Sequence, residues 1–256
     1  MKQVLVGNTR LEYVRLPSAH PREGVPAIVF LHEGLGSVSM WRDFPQKVAD
    51  ATGCEAIVYS RAGYGRSDPA ELPRTTRYMH DEGLTVLPAL LDALQLDRPI
   101  LFGHSDGASI ALICAGGTAT PLTGVIAMAP HVLVEDISVT SIAQAKVAWQ
   151  GTDLPARLGK YHQDVEAAFW GWNDIWLHPD FRVWNIEEYV PNIACPVLAI
   201  QGEDDEYGTM DQIDRIAAQA RDVELVKLAD CRHSPHKDQP EAVIEAVGEF
   251  VTRILD

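Results

Sequence analysis

The chain has 256 residues, 46% of them hydrophobic and 22% charged, which fits one large folded domain and excludes a disordered chain. Its 36 acidic and 21 basic side chains leave a formal charge of −15, so no basic stripe is at hand to neutralise a nucleic-acid backbone. No window approaches the roughly 18 apolar residues of a membrane span, and Met1-Lys2-Gln3-Val4-Leu5-Val6-Gly7 is not expected to be a secretion signal, its apolar run being too short.

In chain order, residues 3–6 and 10–16 are expected as strands joined by a turn at Gly7-Asn8. Ala27-Ile28-Val29-Phe30-Leu31 is an unbroken apolar run between Pro26 and Gly34, the pattern of a strand buried on both faces. Ala56-Ile57-Val58-Tyr59 has the same pattern. Leu84, Leu87, Leu91 and Leu94 recur at three- and four-residue spacing and predict a helix over about residues 79–95. Ile100-Leu101-Phe102 and Val125-Ile126-Ala127-Met128 are further buried strands, as is Val197-Leu198-Ala199-Ile200. Ile213, Ile216 and Ala220 lie on one helical stripe, residues 223–228 form a last strand, and Val243, Val247, Phe250 and Ile254 mark a final helix from near Pro240. Buried strands alternating with amphipathic helices imply an α/β fold, a mainly parallel sheet of about eight strands covered on both faces. The four cysteines, Cys54, Cys114, Cys195 and Cys231, form no C-x-x-C pair and are expected as reduced buried thiols of a cytoplasmic protein.

One stretch breaks the alternation. Between Pro130 and Pro196 no buried-strand run occurs, yet five of the six tryptophans lie there: Trp149, Trp170, Trp172, Trp176 and Trp184. A segment this long is not a plain loop. The expected organisation is a core domain of residues 1–130 and 195–256 with a helical cap inserted at 131–194. Most of the tryptophans would build the cap's own small core, with one or two lining a pocket.

Chemistry concentrates in Gly103-His104-Ser105-Asp106-Gly107, which follows the strand 100–102 and opens a helix-like run from Ala108 to Ile113. A G-x-S-x-G at a strand-to-helix turn puts its serine on a strained backbone, hydroxyl exposed at the strand's C-terminal end. The helix N-terminus beside it favours developing negative charge.

With that motif in that setting, the sequence resembles the α/β-hydrolase superfamily over nearly its whole length. The resemblance implies an oxyanion loop at His32-Glu33-Gly34-Leu35-Gly36, with the Gly34 N–H, or the Leu35 N–H, as one donor and the Asp106 N–H as the other. Glu33 departs from the more usual glycine, and its side chain is expected to point away from the oxyanion. The resemblance further implies Asp205 as the acid, three positions beyond Gly202, and His233, in His233-Ser234-Pro235, as the base. Arg232 stands where the family usually has glycine. Gly63-Tyr64-Gly65-Arg66-Ser67 would be the family's structural loop after the fourth strand, not a phosphate loop.

The expected activity is cleavage of a small or medium carboxylic ester or lactone through an acyl-enzyme, by a Ser105–His233–Asp205 triad. Alternatives are a C–C bond hydrolase of a vinylogous diketone and a small-molecule receptor on the same scaffold. No cofactor is expected. No metal is expected either, since His32-Glu33 lacks the second histidine of H-E-x-x-H. His32, His104 and His131 would instead make hydrogen bonds near the cleft. The expected partner is a small-molecule substrate, with no nucleic acid and no membrane.

Overall fold

A computed structural model describes residues 1–256. Strands β1 (Lys2–Val6) and β2 (Thr9–Leu16) form an antiparallel hairpin that turns at Gly7, where φ is 58°. All four residues of β3 (Ile28–Leu31) are buried. Helix α1 (Phe44–Thr52) closes on Gly53 in the left-handed conformation, and β4 (Ala56–Tyr59) follows.

The helix expected over 79–95 is broken into three regimes: α2 (Tyr78–Asp81), a π-helical turn over Glu82–Val86, and α3 (Leu87–Ala93). Next come β5 (Ile100–His104), α4 (Asp106–Gly117) and β6 (Gly124–Met128). The widened turn lies against α4, where a Cβ on Gly83 would come within 2.9 Å of the Ile110 carbonyl oxygen. Leucine periodicity carries no signal for one residue inserted into a turn.

Between β6 and the next strand the chain builds α5 (Asp136–Gly151), α6 (Leu154–Leu158), α7 (Val165–Trp176) and two short 3-10 turns. The chain ends with β7 (Val197–Gly202), α8 (Asp211–Gln219), β8 (Val223–Leu228), α9 (Pro235–Asp238) and α10 (Pro240–Leu255).

The eight strands form one sheet in the order β1-β2-β4-β3-β5-β6-β7-β8, antiparallel only across β1/β2 and β2/β4. Alternation within each strand divides the core between its faces. Val29, Leu31 and Leu101 pack with α3 and α4, whereas Ile28, Phe30, Ile100 and Phe102 pack with α1 and α10. Parallel register sets Phe30 beside Phe102, and their rings stack at 4.8 Å. Truncating Phe102 to alanine would cost about 3–5 kcal/mol in lost transfer and cavity energy.

No helix is long and apolar enough to cross a membrane. The Gly63–Ser67 loop is structural in its contacts. Gly63 and Gly65 hold positive φ, and the Ser67 hydroxyl donates to the Ser60 carbonyl and accepts from the Glu12 N–H.

Candidate active site

In a parallel sheet every strand's C-terminal end opens on the same edge, and side chains that follow those ends converge there. Gly34 follows β3, Ser105 follows β5, Asp205 follows β7 and His233 follows β8.

Ser105 occupies a sharp turn, with φ 54° and ψ −122°. This left-handed region is unfavourable for a residue with a Cβ and costs on the order of 1–3 kcal/mol. The surroundings hold it there: the Ser105 N–H donates to the Met128 carbonyl at 2.9 Å, and its carbonyl accepts from the N–H groups of Ala108 and Ser109. Both flanking glycines are sterically required. A Cβ on Gly107 would lie 2.1 Å from the Leu31 carbonyl oxygen, and one on Gly103 would lie 2.3 Å from the Gly107 carbonyl oxygen.

The structure brings the three expected side chains into one line. His233 Nε2 is 3.0 Å from Ser105 Oγ, and His233 Nδ1 is 2.8 and 2.9 Å from the two oxygens of Asp205. Burial opposes a charge on His233, but Asp205, with Glu206 and Glu33 beyond it, outweighs burial and holds its pKa above the ordinary 6.5. Burial likewise opposes ionisation of Asp205, while His233 and the Tyr207 N–H outweigh it and keep the carboxyl below its usual range. Asp205 also accepts from Gln201 Nε2 and from the Gly208 N–H, so both its oxygens are fixed. Asp204, its neighbour, is exposed.

Gly34 N–H and Leu35 N–H make no hydrogen bond within the protein, and Asp106 N–H opens α4, where a helix has no internal acceptor to offer. Gly34 admits no side chain: a Cβ would lie 2.2 Å from the indole nitrogen of Trp172 on α7.

One guanidinium ties the two sides of this region together. The fully buried Arg61 donates to the carbonyls of His32 (2.9 Å) and Glu33 (3.1 Å), and its Nη2 is 3.9 Å from Asp106 Oδ2. Asp106 Oδ2 accepts from the Tyr78 hydroxyl at 2.6 Å, which in turn accepts from Trp176 Nε1. The Asp106 carboxylate thus sits beside the nucleophile already balanced by a buried cation. Sequence reading missed this network, since Arg61, Tyr78 and Trp176 come from three separate elements.

A cavity of about 190 Å³ opens over Ser105, walled by Gly34, Ile142, Trp172, Trp176, Tyr207 and His131 among others. Of the five tryptophans in the 131–194 segment, Trp172 and Trp176 face the cavity. Trp149 stacks on Phe169 and Trp184 on Phe181, in the same hydrophobic cluster that holds Val29, Leu31 and Leu101 of the sheet.

The histidines divide. His32 donates from Nδ1 to the Glu33 carbonyl and accepts the Arg61 N–H at Nε2, and His104 donates from Nε2 to the His233 carbonyl at 2.7 Å. His131, expected to hydrogen-bond, makes no side-chain bond. Burial drives its pKa down to about 3, and it stands in the cavity wall as a neutral ring. Its position just past the C-terminal end of β6 was the available signal. Glu33 borders the cavity and directs its carboxylate to His104 and Lys237, 3.5 Å from His104 Nδ1 and 3.9 Å from Lys237 Nζ. Burial would raise its pKa, but His104 and Lys237 outweigh burial and hold it well below the usual range. No group of three or more His, Cys, Asp or Glu side chains is placed to hold a metal ion.

A doubly wound sheet with a strand–serine–helix elbow, and with His and Asp delivered by later strands, defines a hydrolase class of architecture. The sequence profile of the Alpha/beta hydrolase family matches residues 28–246, and the chain belongs to that family. Three solved structures show the same fold at low sequence identity. The enol-lactonase from Burkholderia xenovorans LB400 superposes with a TM-score of 0.75 at 19% identity, covering 98% of this chain and 100% of that one. A thermophilic esterase from Thermogutta terrifontis gives 0.72 at 18%, covering 99% and 98%. A meta-cleavage product hydrolase from Pseudomonas fluorescens IP01 gives 0.73 at 16%, covering 99% and 98%.

Proposed function

We propose that the protein hydrolyses a small or medium carboxylic ester or lactone through an acyl-enzyme. The observation that carries this reading is the unbroken line from Ser105 Oγ through the His233 ring to Asp205 at hydrogen-bond distances. Ser105 Oγ attacks the acyl carbon while His233 Nε2 takes its proton, and Asp205 holds the tautomer with its proton on Nδ1. The carbonyl oxygen becomes an oxyanion facing the N–H groups of Gly34 and Asp106. The tetrahedral adduct collapses as His233 returns the proton to the leaving oxygen. Water, activated by the same imidazole, then releases the acid. Every proton has a place within the chain, so these steps need no cofactor.

The 131–194 segment acts in this reading as a cap that encloses the acyl group against Trp172, Trp176 and Ile142. The cavity also bears on the C–C alternative. A dienoate formed by ring cleavage carries a carboxylate, whereas the cavity wall includes Glu33 and Glu206 and has neither lysine nor arginine. An uncharged acyl group fits better. The four cysteines, none in a disulfide, suit the reducing cytoplasm as its address.

A fluorophosphonate should label Ser105 stoichiometrically and p-nitrophenyl butyrate should turn over, both being lost in Ser105→Ala. An adduct on another serine would refute the assignment. Labelling without turnover of any ester would favour a receptor.

A further inference from the structure

The chain has 36 acidic against 21 basic side chains, yet one surface cavity inverts that balance. A pocket of about 240 Å³ is lined by Arg42, Arg157, Lys160 and Lys237 together with Leu154 and Tyr161, and no carboxylate is among its lining residues. Two of the four cations are loosely engaged: Arg157 reaches Asp153 at 3.7 Å and Lys237 reaches Glu33 at 3.9 Å. Arg42 and Lys160 take part in no ion pair. Asp43, the acid nearest Arg42 in sequence, is turned instead to Lys47 at 2.9 Å. Arg42 itself stands at φ 55°, in the region that favours glycine, where it closes the 3-10 turn Val38–Trp41.

The pocket's lining residues connect to those over Ser105 in three ways. Met40 and Arg42 follow the loop that carries Gly34. Lys237 stands four residues beyond His233, and the Glu33 it contacts reaches His104, next to Ser105. Lys160 and Tyr161 lead into His162, whose Nε2–H donates to the Leu35 carbonyl at 2.9 Å. The two linings, joined at the Lys237–Glu33 contact, are of opposite electrical character. The one over Ser105 has acidic and aromatic walls, and the other is cationic.

We propose that the substrate is an ester or thioester whose acyl group is uncharged and whose leaving group bears a phosphate, bound by Arg42, Arg157, Lys160 and Lys237. This rests on the serine-hydrolase reading and names its substrate class. Arginine forks and lysine ammonium groups match phosphate oxygens, and four cations in one pocket exceed what a single carboxylate would engage. The reaction is balanced without a further reagent. The acyl carbon bonds to Ser105 Oγ, its bond to the leaving oxygen or sulfur breaks, and the phosphorylated alcohol or thiol leaves with the proton from His233. Water then completes hydrolysis.

The test compares the butyryl thioesters of pantetheine and of pantetheine 4′-phosphate, which differ only in the phosphate, with p-nitrophenyl butyrate as a control. The phosphorylated thioester should show a kcat/KM about tenfold or more above the neutral one at low ionic strength, the scale of focusing by a charged cleft, and the advantage should shrink with added salt. In the double variant Arg157→Glu, Lys160→Glu, the two thioesters should converge, with p-nitrophenyl butyrate unchanged. If the wild type treats both thioesters alike, or hydrolyses only p-nitrophenyl butyrate, the phosphate assignment is wrong and the hydrolase reading stands. A preference that survives the double reversal also overturns the assignment. Loss of all three activities in the wild type would bring down the hydrolase reading itself.

Discussion

Replacing Asp205 by asparagine changes one atom and should nearly abolish activity. Asp205 Oδ1 accepts from the N–H groups of Tyr207 and Gly208, Oδ2 accepts from Gln201 Nε2, and both oxygens face His233 Nδ1. Every neighbour is a donor, so an asparagine NH2 opposes another N–H whichever way it is turned. Left unrelieved, that conflict costs about 1–3 kcal/mol of buried polar mismatch. The cheapest relief is a change of tautomer, in which His233 Nδ1 gives up its proton to become an acceptor. Nε2 then carries the proton and is useless as a base toward Ser105. Rate losses of about 10⁴-fold accompany such a tautomer error in a well-studied triad.

The pH dependence supplies an independent sign. In the wild type activity should rise as His233 loses its proton, with a midpoint above 6.5, because Asp205 and its acidic neighbours hold the proton on against burial. Without the Asp205 charge only Glu206 and Glu33 are left to oppose burial, so the residual activity of Asp205→Asn should rise at lower pH. Stopped-flow acylation by p-nitrophenyl butyrate from pH 5 to 9 reads both effects. Asp204→Asn, at an exposed position with no side-chain hydrogen bond, should stay within about twofold of wild type. A rate limb unmoved in Asp205→Asn, or a crippled Asp204→Asn, would refute the reasoning.

Arg61→Met should lower stability in urea by about 3–5 kcal/mol, since it strands the Asp106 carboxylate and two carbonyls in the interior; an unchanged midpoint would show that the network is dispensable. Gly107→Ala should yield little folded protein, because its Cβ would overlap the Leu31 carbonyl oxygen, and soluble yield with circular dichroism reads this directly. His236→Ala should lose stability through its packing on Trp41 and Phe44 (centroids 5.0 and 5.4 Å away) yet keep at least about a tenth of the acylation rate. Activity should survive exhaustive chelation, and recovery only on adding back a metal would contradict the mechanism.

Local patterns made the sheet legible. A strand buried on both faces appears as an unbroken apolar run, so five interior strands, each ending near a turn signal, could be placed from their residue pattern alone. Ser105 was legible because a strand, two glycines and a helix surround it within a dozen residues. Asp205 and His233 needed the resemblance, since nothing local distinguishes Asp205 from Asp204. What escaped was non-local or a matter of one residue. The π-turn at Glu82–Val86 hides within a regular leucine stripe, and Arg61, Tyr78 and Asp106 meet only once the chain has folded. Arg42, Arg157, Lys160 and Lys237 are spread over nearly two hundred positions, and their convergence has no sequence signature.

The contact between Gly34 and Trp172 bears on how this protein could be rebuilt. One residue lies in the loop after β3 and the other on α7, and a single methyl group at position 34 would displace the indole. The helices α5 to α7 are therefore not freely interchangeable with those of a relative. A chimera that takes residues 131–194 from a relative with a differently placed ring would leave the Gly34 loop without its support. A sheet domain carrying a larger residue at position 34 would reject this segment's tryptophan. Recombination across the two boundaries should succeed when positions 34 and 172 travel together, and second-site suppressors of Gly34→Ala should map to the side chain at 172.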